Sequence, residues 1–270
     1  MTEASRRGEF ACGDVTFRSR GAGPWNGCIA FRGFGPGDGL GRGPGIRAQG
    51  RKSPSHFRLE LAPLPGNLSS MATVLQPEQT PLVLSGYTWQ QYQSIEELFS
   101  GSGVRVRFLD HQIEIMAPVS EAHEERKSHL GCLVETWCLE RRIRFCIRGN
   151  TTLLRQDEGG GEPDESYCFG EKKPVPDLAI EVALTSGGLS KRAFYAKFAV
   201  PELWIWRQER LEVFVWDVEE GNYRASVESA VLPGLDLGLL VECARMEYAS
   251  DAIQEFRRRC GGGFQAAGGQ

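Results

Sequence analysis

The sequence has no apolar run approaching the roughly 18 residues that a spanning helix needs, so it is expected to contact no membrane. No apolar stretch of about 7–15 residues follows the early arginines, which argues against a secretory signal. The eight cysteines stand at 12, 28, 132, 138, 146, 168, 243 and 260 and form no C-x-x-C pair. A zinc site built on close ligand pairs is therefore not expected, and reduced, mostly buried thiols in the cytoplasm are. Histidine is scarce, and His123 and His129 are six residues apart, so on a helix they point different ways. The run His123-Glu124-Glu125-Arg126-Lys127 lacks the second histidine of a metalloprotease. There is no G-x-S-x-G elbow, no G-x-x-x-x-G-K-[ST] loop and no G-x-G-x-x-G after a strand. Gly159-Gly160-Gly161 lies among Asp157, Glu158 and Glu162, poor surroundings for phosphate, and reads as a flexible loop.

What is present is unevenly spread. Residues 1–70 hold 14 of the 33 glycines and 6 of the 14 prolines. They carry ten Lys/Arg against five Asp/Glu, a net of +5; the other 200 residues carry 21 against 30, a net of −9. The first stretch shows neither helical nor strand periodicity and has too little apolar surface to offset ordering, so it reads as disordered. One reading makes it an Arg/Gly/Phe arm for nucleic acid; the plainer one takes Met71 as the true start and residues 1–70 as a non-native extension. The folded domain is expected over 71–260, with a flexible tail over 261–270.

Thr88, with Gln91 at the capping-box position, starts a helix carrying Trp89, Tyr92, Ile95 and Phe99. Val104, Val106 and Phe108 alternate with Arg105 and Arg107, a strand with one buried face. A turn at Asp110-His111 leads to a returning strand, Gln112 to Met116, and Ser120 caps a long helix to about Glu140. Strands are expected at 143–148, 151–155, 164–169, 177–183, 203–207 and 211–217, and helices at about 189–199 and 244–259. This order suggests an α/β or α+β domain with one central sheet and helices packed on it.

The informative segment is Glu162-Pro163-Asp164-Glu165-Ser166-Tyr167-Cys168-Phe169, a turn, and then Pro176-Asp177-Leu178-Ala179-Ile180-Glu181-Val182-Ala183. As a hairpin pairing Cys168 with Asp177, it sets Asp164 opposite Glu181. Asp177, Ala179, Glu181 and Ala183 share one face, and Leu178, Ile180 and Val182 the other. Three converging carboxylates, Asp164, Asp177 and Glu181, would repel one another unless a cation lies between them, and carboxylates are the hard ligands Mg²⁺ prefers. Lys191, in the next helix one turn before Tyr195, could orient a water and offset charge on a phosphate. Metal and lysine together suit phosphodiester hydrolysis. The plain alternative makes these acids solvent-facing residues at strand ends.

These segments, with Thr185-Ser186-Gly187-Gly188-Leu189-Ser190-Lys191 and Val200-Pro201-Glu202-Leu203-Trp204-Ile205-Trp206, resemble the Uma-type putative restriction endonuclease family of the PD-(D/E)XK nuclease superfamily. Ile113-Glu114-Ile115-Met116-Ala117-Pro118 and His123-Glu124 are similar to its earlier signature. The resemblance covers about residues 85–258. It implies a restriction-endonuclease-like α/β fold, a central mixed sheet flanked by helices, with Mg²⁺ (or Mn²⁺) as cofactor and DNA as substrate. Carried over, Asp164, Asp177 and Glu181 are metal ligands and catalytic acids, and Lys191 is the catalytic lysine. Ala183 stands where the superfamily usually has that lysine, His111 where related sequences have Gly, and Ser190 where they have an acid.

His123, Glu124 and Tyr195 could support the site, though each also suits a surface, capping or core role. Trp204, Trp206, Phe214 and Trp216 read as sheet packing or a dimer surface. The first functional expectation is a homodimeric, metal-dependent DNA endonuclease. The alternative is a catalytically silent protein on the same scaffold, a dimeric binding or interaction module; a third is a hydrolase of another phosphate ester. The core charge of −9 argues against DNA binding by bulk charge.

Overall fold

A computed structural model describes residues 28–30, 46–50, 57–61, 72–75, 80–184 and 188–260. The chain divides into two units, Met1–Gln79 and Thr80–Gln270. In the first, β1 (Cys28–Ala30), β2 (Ile46–Gly50), β3 (Phe57–Leu61) and β4 (Ala72–Leu75) form an antiparallel sheet in chain order. Apart from these strands, the expected disorder of residues 1–70, the boundary at 70/71 and the flexible tail at 261–270 lie outside the described residues.

The second unit opens with β5 (Leu82–Ser85) and α1 (Trp89–Phe99). The expected capping box is formed. Thr88 N–H donates to Gln91 Oε1 at 2.8 Å, and Gln91 N–H donates to Thr88 Oγ1 at 3.3 Å. Trp89, Tyr92, Ile95 and Phe99 make the buried face of α1. Next come β6 (Arg105–Leu109) and β7 (Gln112–Met116), joined by Asp110 and His111, both at positive φ (44° and 63°). That is the backbone of a two-residue hairpin turn matched to strand twist. His111, where glycine would sit most easily, is held by its ring, with Nδ1 3.2 Å from Tyr87 O and the ring edge-on to Phe108.

Ser120 then caps α2 (Glu121–Glu140), its hydroxyl accepting from His123 N–H at 3.3 Å. Short strands follow: β8 (Phe145–Ile147), β9 (Leu153–Arg155) and β10 (Gly159–Gly161). The three glycines expected in a flexible loop are thus a buried strand, paired with β6 and β9. Their lack of side chains is what allows it: a Cβ on Gly160 would stand 2.6 Å from the Tyr92 ring. β11 (Glu165–Phe169), β12 (Leu178–Val182), α3 (Lys191–Ala196), β13 (Glu202–Arg207), β14 (Arg210–Asp217) and β15 (Asn222–Ser226) lead to α4 (Leu237–Ala244) and α5 (Ala249–Cys260). The last helix, expected at 244–259, is α5 and starts at Ala249, and β5, β15 and α4 went unforeseen.

The strands form two sheets in place of the one expected. The first is antiparallel, in the order β5-β7-β6-β10-β9; the second is mixed, β15-β14-β13-β12-β11-β8, with β12 and β13 parallel. The last of three passages between them, from β10 to β11, is at Glu162-Pro163-Asp164, where proline has no N–H to give a ladder. The β11–β12 register pairs Glu165 with Ile180 and Tyr167 with Leu178. This is the expected hairpin, and carried one step further it brings Asp164 opposite Glu181.

Leu178, Ile180 and Val182 pack with Trp204 and Trp206 against Leu130, Val134 and Trp137 of α2 and against α4 and α5. On the opposite face Ala179, Leu203 and Ile205 pack beneath Phe194 and Phe198 from α3 and the turn after it. Mixed α/β content and two sheets flanked by helices agree with the restriction-endonuclease-like class. Among the described residues no helix is long and apolar enough to cross a membrane.

Candidate active site

The junction between the two sheets is lined by charge. β6 supplies Arg105 and Arg107, and β7 supplies Glu114. The second sheet supplies Asp164, just before β11, and Glu181 from β12. Arg107, Glu114, Asp164 and Glu181 are all buried. Charges in such a place need partners, and each has one.

Asp164 Oδ2 accepts from Val182 N–H at 2.7 Å and from His123 Nε2 at 3.1 Å. Its Oδ1 accepts from Arg105 Nη1. Burial alone would raise this carboxyl. The His123 hydrogen bond and the charges of Arg105 and Lys191 prevail and hold it far below the usual carboxylate range.

Glu181 is held the same way. Its Oε1 accepts from Arg107 Nη2 and from Tyr195 Oη, both at 2.6 Å, and its Oε2 lies 3.0 Å from Lys191 Nζ. Burial pushes Glu181 up, Arg107 and Lys191 pull it down, and the net direction is down. For Tyr195, burial first and the Glu181 charge second push its hydroxyl well above the ordinary tyrosine value.

Arg107 is the hub. Besides Glu181 it reaches the Glu162 carbonyl at 3.1 Å and Glu114 Oε2 at 3.5 Å, and its guanidinium lies 4.6 Å from the centre of the Phe194 ring. Glu114 Oε1 in turn accepts from Leu189 N–H at 3.0 Å. A Cβ at Gly188, whose φ is +83°, would run into that carboxylate, so glycine is needed for the approach. Glu114 thereby anchors the turn that starts α3, which carries Lys191 and Tyr195.

Of the expected site residues, the structure gathers Asp164, Glu181, Lys191, His123 and Tyr195. It does not bring in Asp177. That carboxylate lies at the hairpin, holding Lys173 Nζ at 2.7 Å and accepting from Phe169 N–H at 2.8 Å. Four residues of strand separate it from Glu181, about 13 Å at the strand rise, too far to share an ion. Of the expected trio of Asp164, Asp177 and Glu181, the structure brings together Asp164 and Glu181. Glu124 is half exposed and pairs with Lys127 at 2.5 Å, at the rim of the site.

Arg105, Arg107 and Glu114 were not foreseen as site residues. The alternation of arginine with apolar residues is that of a strand with one buried face, yet the arginine face meets the second sheet. Beside Asp164 a cleft of about 310 Å³ opens, lined by Arg105, Lys127, Asn150, Thr152 and Glu162 among others.

The sequence matches the family Uma2, "Putative restriction endonuclease", over residues 89–242. The chain belongs to that family. Among curated proteins no match was found. The Uma2 match runs from the first helical residue of α1 into α4, and so includes every residue of the charged junction.

The donor set of this Uma2 member bears on a metal. Among the described residues no three His, Cys, Asp or Glu side chains gather to hold an ion. A full protein cage of the kind calcium takes is therefore absent from them. Mg²⁺ needs less: it keeps several waters and binds through one or two carboxylates plus substrate phosphate. Asp164 and Glu181 are hard oxygen donors of that kind, each paired with a partly exposed cation, Arg105 or Lys191.

Stability of the junction should depend on acid. Both carboxyls bind protons more weakly when folded than their ordinary values of 3.8 and 4.5. Their contribution is therefore complete above those values and drains as pH falls below them. Urea midpoints should fall from about pH 5 to about pH 3, and less steeply in Asp164→Asn. Parallel slopes for the two proteins would contradict the buried ion pair.

Proposed function

We propose that this Uma2 chain is a divalent-metal-dependent endonuclease that hydrolyses phosphodiester bonds in DNA. The observation that carries the reading is the pairing of buried Asp164 and Glu181 with Lys191, which arrives 3.0 Å from Glu181 on a separate helix. Asp164 and Glu181 would hold Mg²⁺ or Mn²⁺. Bound there, the ion would make a water more acidic and neutralise phosphoryl oxygens. Lys191 orients the attacking water and offsets negative charge on the phosphate as the leaving oxygen departs. His123 and Val182 N–H fix Asp164, and Arg107 and Tyr195 fix Glu181, so neither carboxylate has to reorganise. Lys191 on α3 takes the part that Ala183 cannot. A homodimer in the cytoplasm completes this reading.

One observation favours a second reading, a catalytically silent binding module. Both carboxylates are already neutralised by protein cations, Arg105 on Asp164 and Arg107 with Lys191 on Glu181. The full chain, incubated with supercoiled and with single-stranded DNA in Mg²⁺ or Mn²⁺, decides between them. Cleavage that disappears on chelation and in Asp164→Ala and Glu181→Ala is expected. Binding of DNA with no metal-dependent cleavage above those variants would instead establish the silent module.

A further inference from the structure

Asp164 and Glu181 share an asymmetry. Each has an inner oxygen with fixed, buried donors: Val182 N–H and His123 for Asp164 Oδ2, Arg107 and Tyr195 for Glu181 Oε1. Each has an outer oxygen held by a long cationic side chain that still touches solvent. Arg105, on Asp164 Oδ1, keeps 25% of its side chain exposed, and Lys191, on Glu181 Oε2, keeps 17%. The two acids are 1% and 2% exposed. Arg105 and Asp164 both line the same cleft, so a cation reaching Asp164 by that cleft meets the guanidinium on its Oδ1.

Arg105 is imperfectly housed where it stands. Its Nε is buried and has no hydrogen-bond partner among the described residues. Leaving such a donor unsatisfied weakens the hold of the whole side chain. Its charge is nevertheless needed there in the metal-free protein. Arg107 is spent on Glu181 and Glu114, and a buried carboxylate stripped of counter-charge is strongly destabilising. A guanidinium and a divalent cation compete for Oδ1, because their like charges repel at that distance.

We propose that Arg105 is a built-in counter-ion that holds Asp164 Oδ1 in the metal-free protein and is displaced into the cleft by the divalent ion. This rests on the reading of Asp164 and Glu181 as the metal-holding pair. Displacement leaves the guanidinium tethered in the cleft, its planar fork free for a phosphate. Metal loading and exposure of a phosphate ligand then become one event.

The test is Mn²⁺ binding to the full chain without DNA, followed by calorimetry. If Arg105 covers Asp164 about nine parts in ten, apparent affinity is reduced about tenfold, and Arg105→Gln should restore that tenfold. Lys127→Gln removes an equal charge from the same cleft and should leave affinity near wild type. If Lys127→Gln tightens binding as much as Arg105→Gln, bulk charge is the cause and the proposal falls. It falls too if Arg105→Gln binds no tighter while Asp164→Asn abolishes binding, though the metal-holding pair then stands. If wild type and Asp164→Asn bind Mn²⁺ alike, or neither binds it, the pair itself is refuted and Arg105 has nothing to compete for. Should Arg105→Gln fail to fold, the wild type decides through the Arg105 side-chain NMR signal on titration with Mg²⁺. A shifted signal supports displacement, and an unmoved one at metal saturation overturns it.

Discussion

Arg107→Met is expected to lose about 3–5 kcal/mol of folding free energy, the largest stability loss among single changes at the junction. Arg107 is fully buried and is the cation shared by Glu181 and Glu114. Methionine fills much of the same volume, so a cavity contributes little. What remains is two buried carboxylates short of counter-charge and a Glu162 carbonyl without its donor. Lys191 and Tyr195 still hold Glu181, but among the described residues Glu114 keeps only its bond from Leu189 N–H. The loss should therefore spread to the start of α3. The double variant Arg107→Met, Glu181→Gln should recover part of it, because the stranded charge on Glu181 is gone. Urea denaturation of each variant measures both effects. A single variant within about 1 kcal/mol of wild type would mean the ion pair contributes no more than an exposed one.

Val-Arg-Val-Arg-Phe alternates as a half-solvated strand does, and nothing within the segment says which side is wet. Its partners lie far along the chain, Asp164 59 residues from Arg105 and Glu181 74 from Arg107. Only tertiary pairing makes that face an interior. The same limit explains the sheets. Most strands are legible from their own period, but the glycine strand β10 and the passage from it to β11 depend on one proline and on glycines that admit Tyr92 and Arg107. Local signals did better. The caps at Thr88 and Ser120, the turn at Asp110-His111 and the register of the β11–β12 hairpin follow from nearby residues, and all are present. Asp177 shows the converse. It shares a strand face with Glu181, yet facing alike does not bring side chains together when four residues of rise intervene. The −9 of the last 200 residues lies outside the junction, where three acids meet three cations. Glu114, Asp164 and Glu181 are paired with buried or half-buried Arg and Lys, so much of the acidity at the junction is neutralised inside the protein.

Lys191→Met should reduce metal-dependent cleavage by about 10²–10³-fold while leaving the fold nearly intact, if the proposed chemistry holds. The two halves of that expectation rest on different observations. The fold survives because Glu181 keeps Arg107 and Tyr195 on its inner oxygen, and because Lys191, at the first position of α3, is partly exposed. The helix keeps its cap, since Ser190 Oγ accepts from Ala193 N–H at 3.2 Å whatever stands at 191. Activity falls because no other described cation on α3 reaches Glu181. Arg192, the next one, stacks on the Phe214 ring, 5.0 Å from its centre. A lysine that only neutralised Glu181 would behave differently: its loss would weaken metal binding or stability and leave the rate at metal saturation unchanged. Single-turnover cleavage at saturating Mg²⁺ separates the two roles, and Lys191→Arg, which restores the charge but not the compact ammonium, should recover only part of the rate. Full cleavage by Lys191→Met at saturating metal would remove Lys191 from the chemistry and leave it as a counter-charge for Glu181.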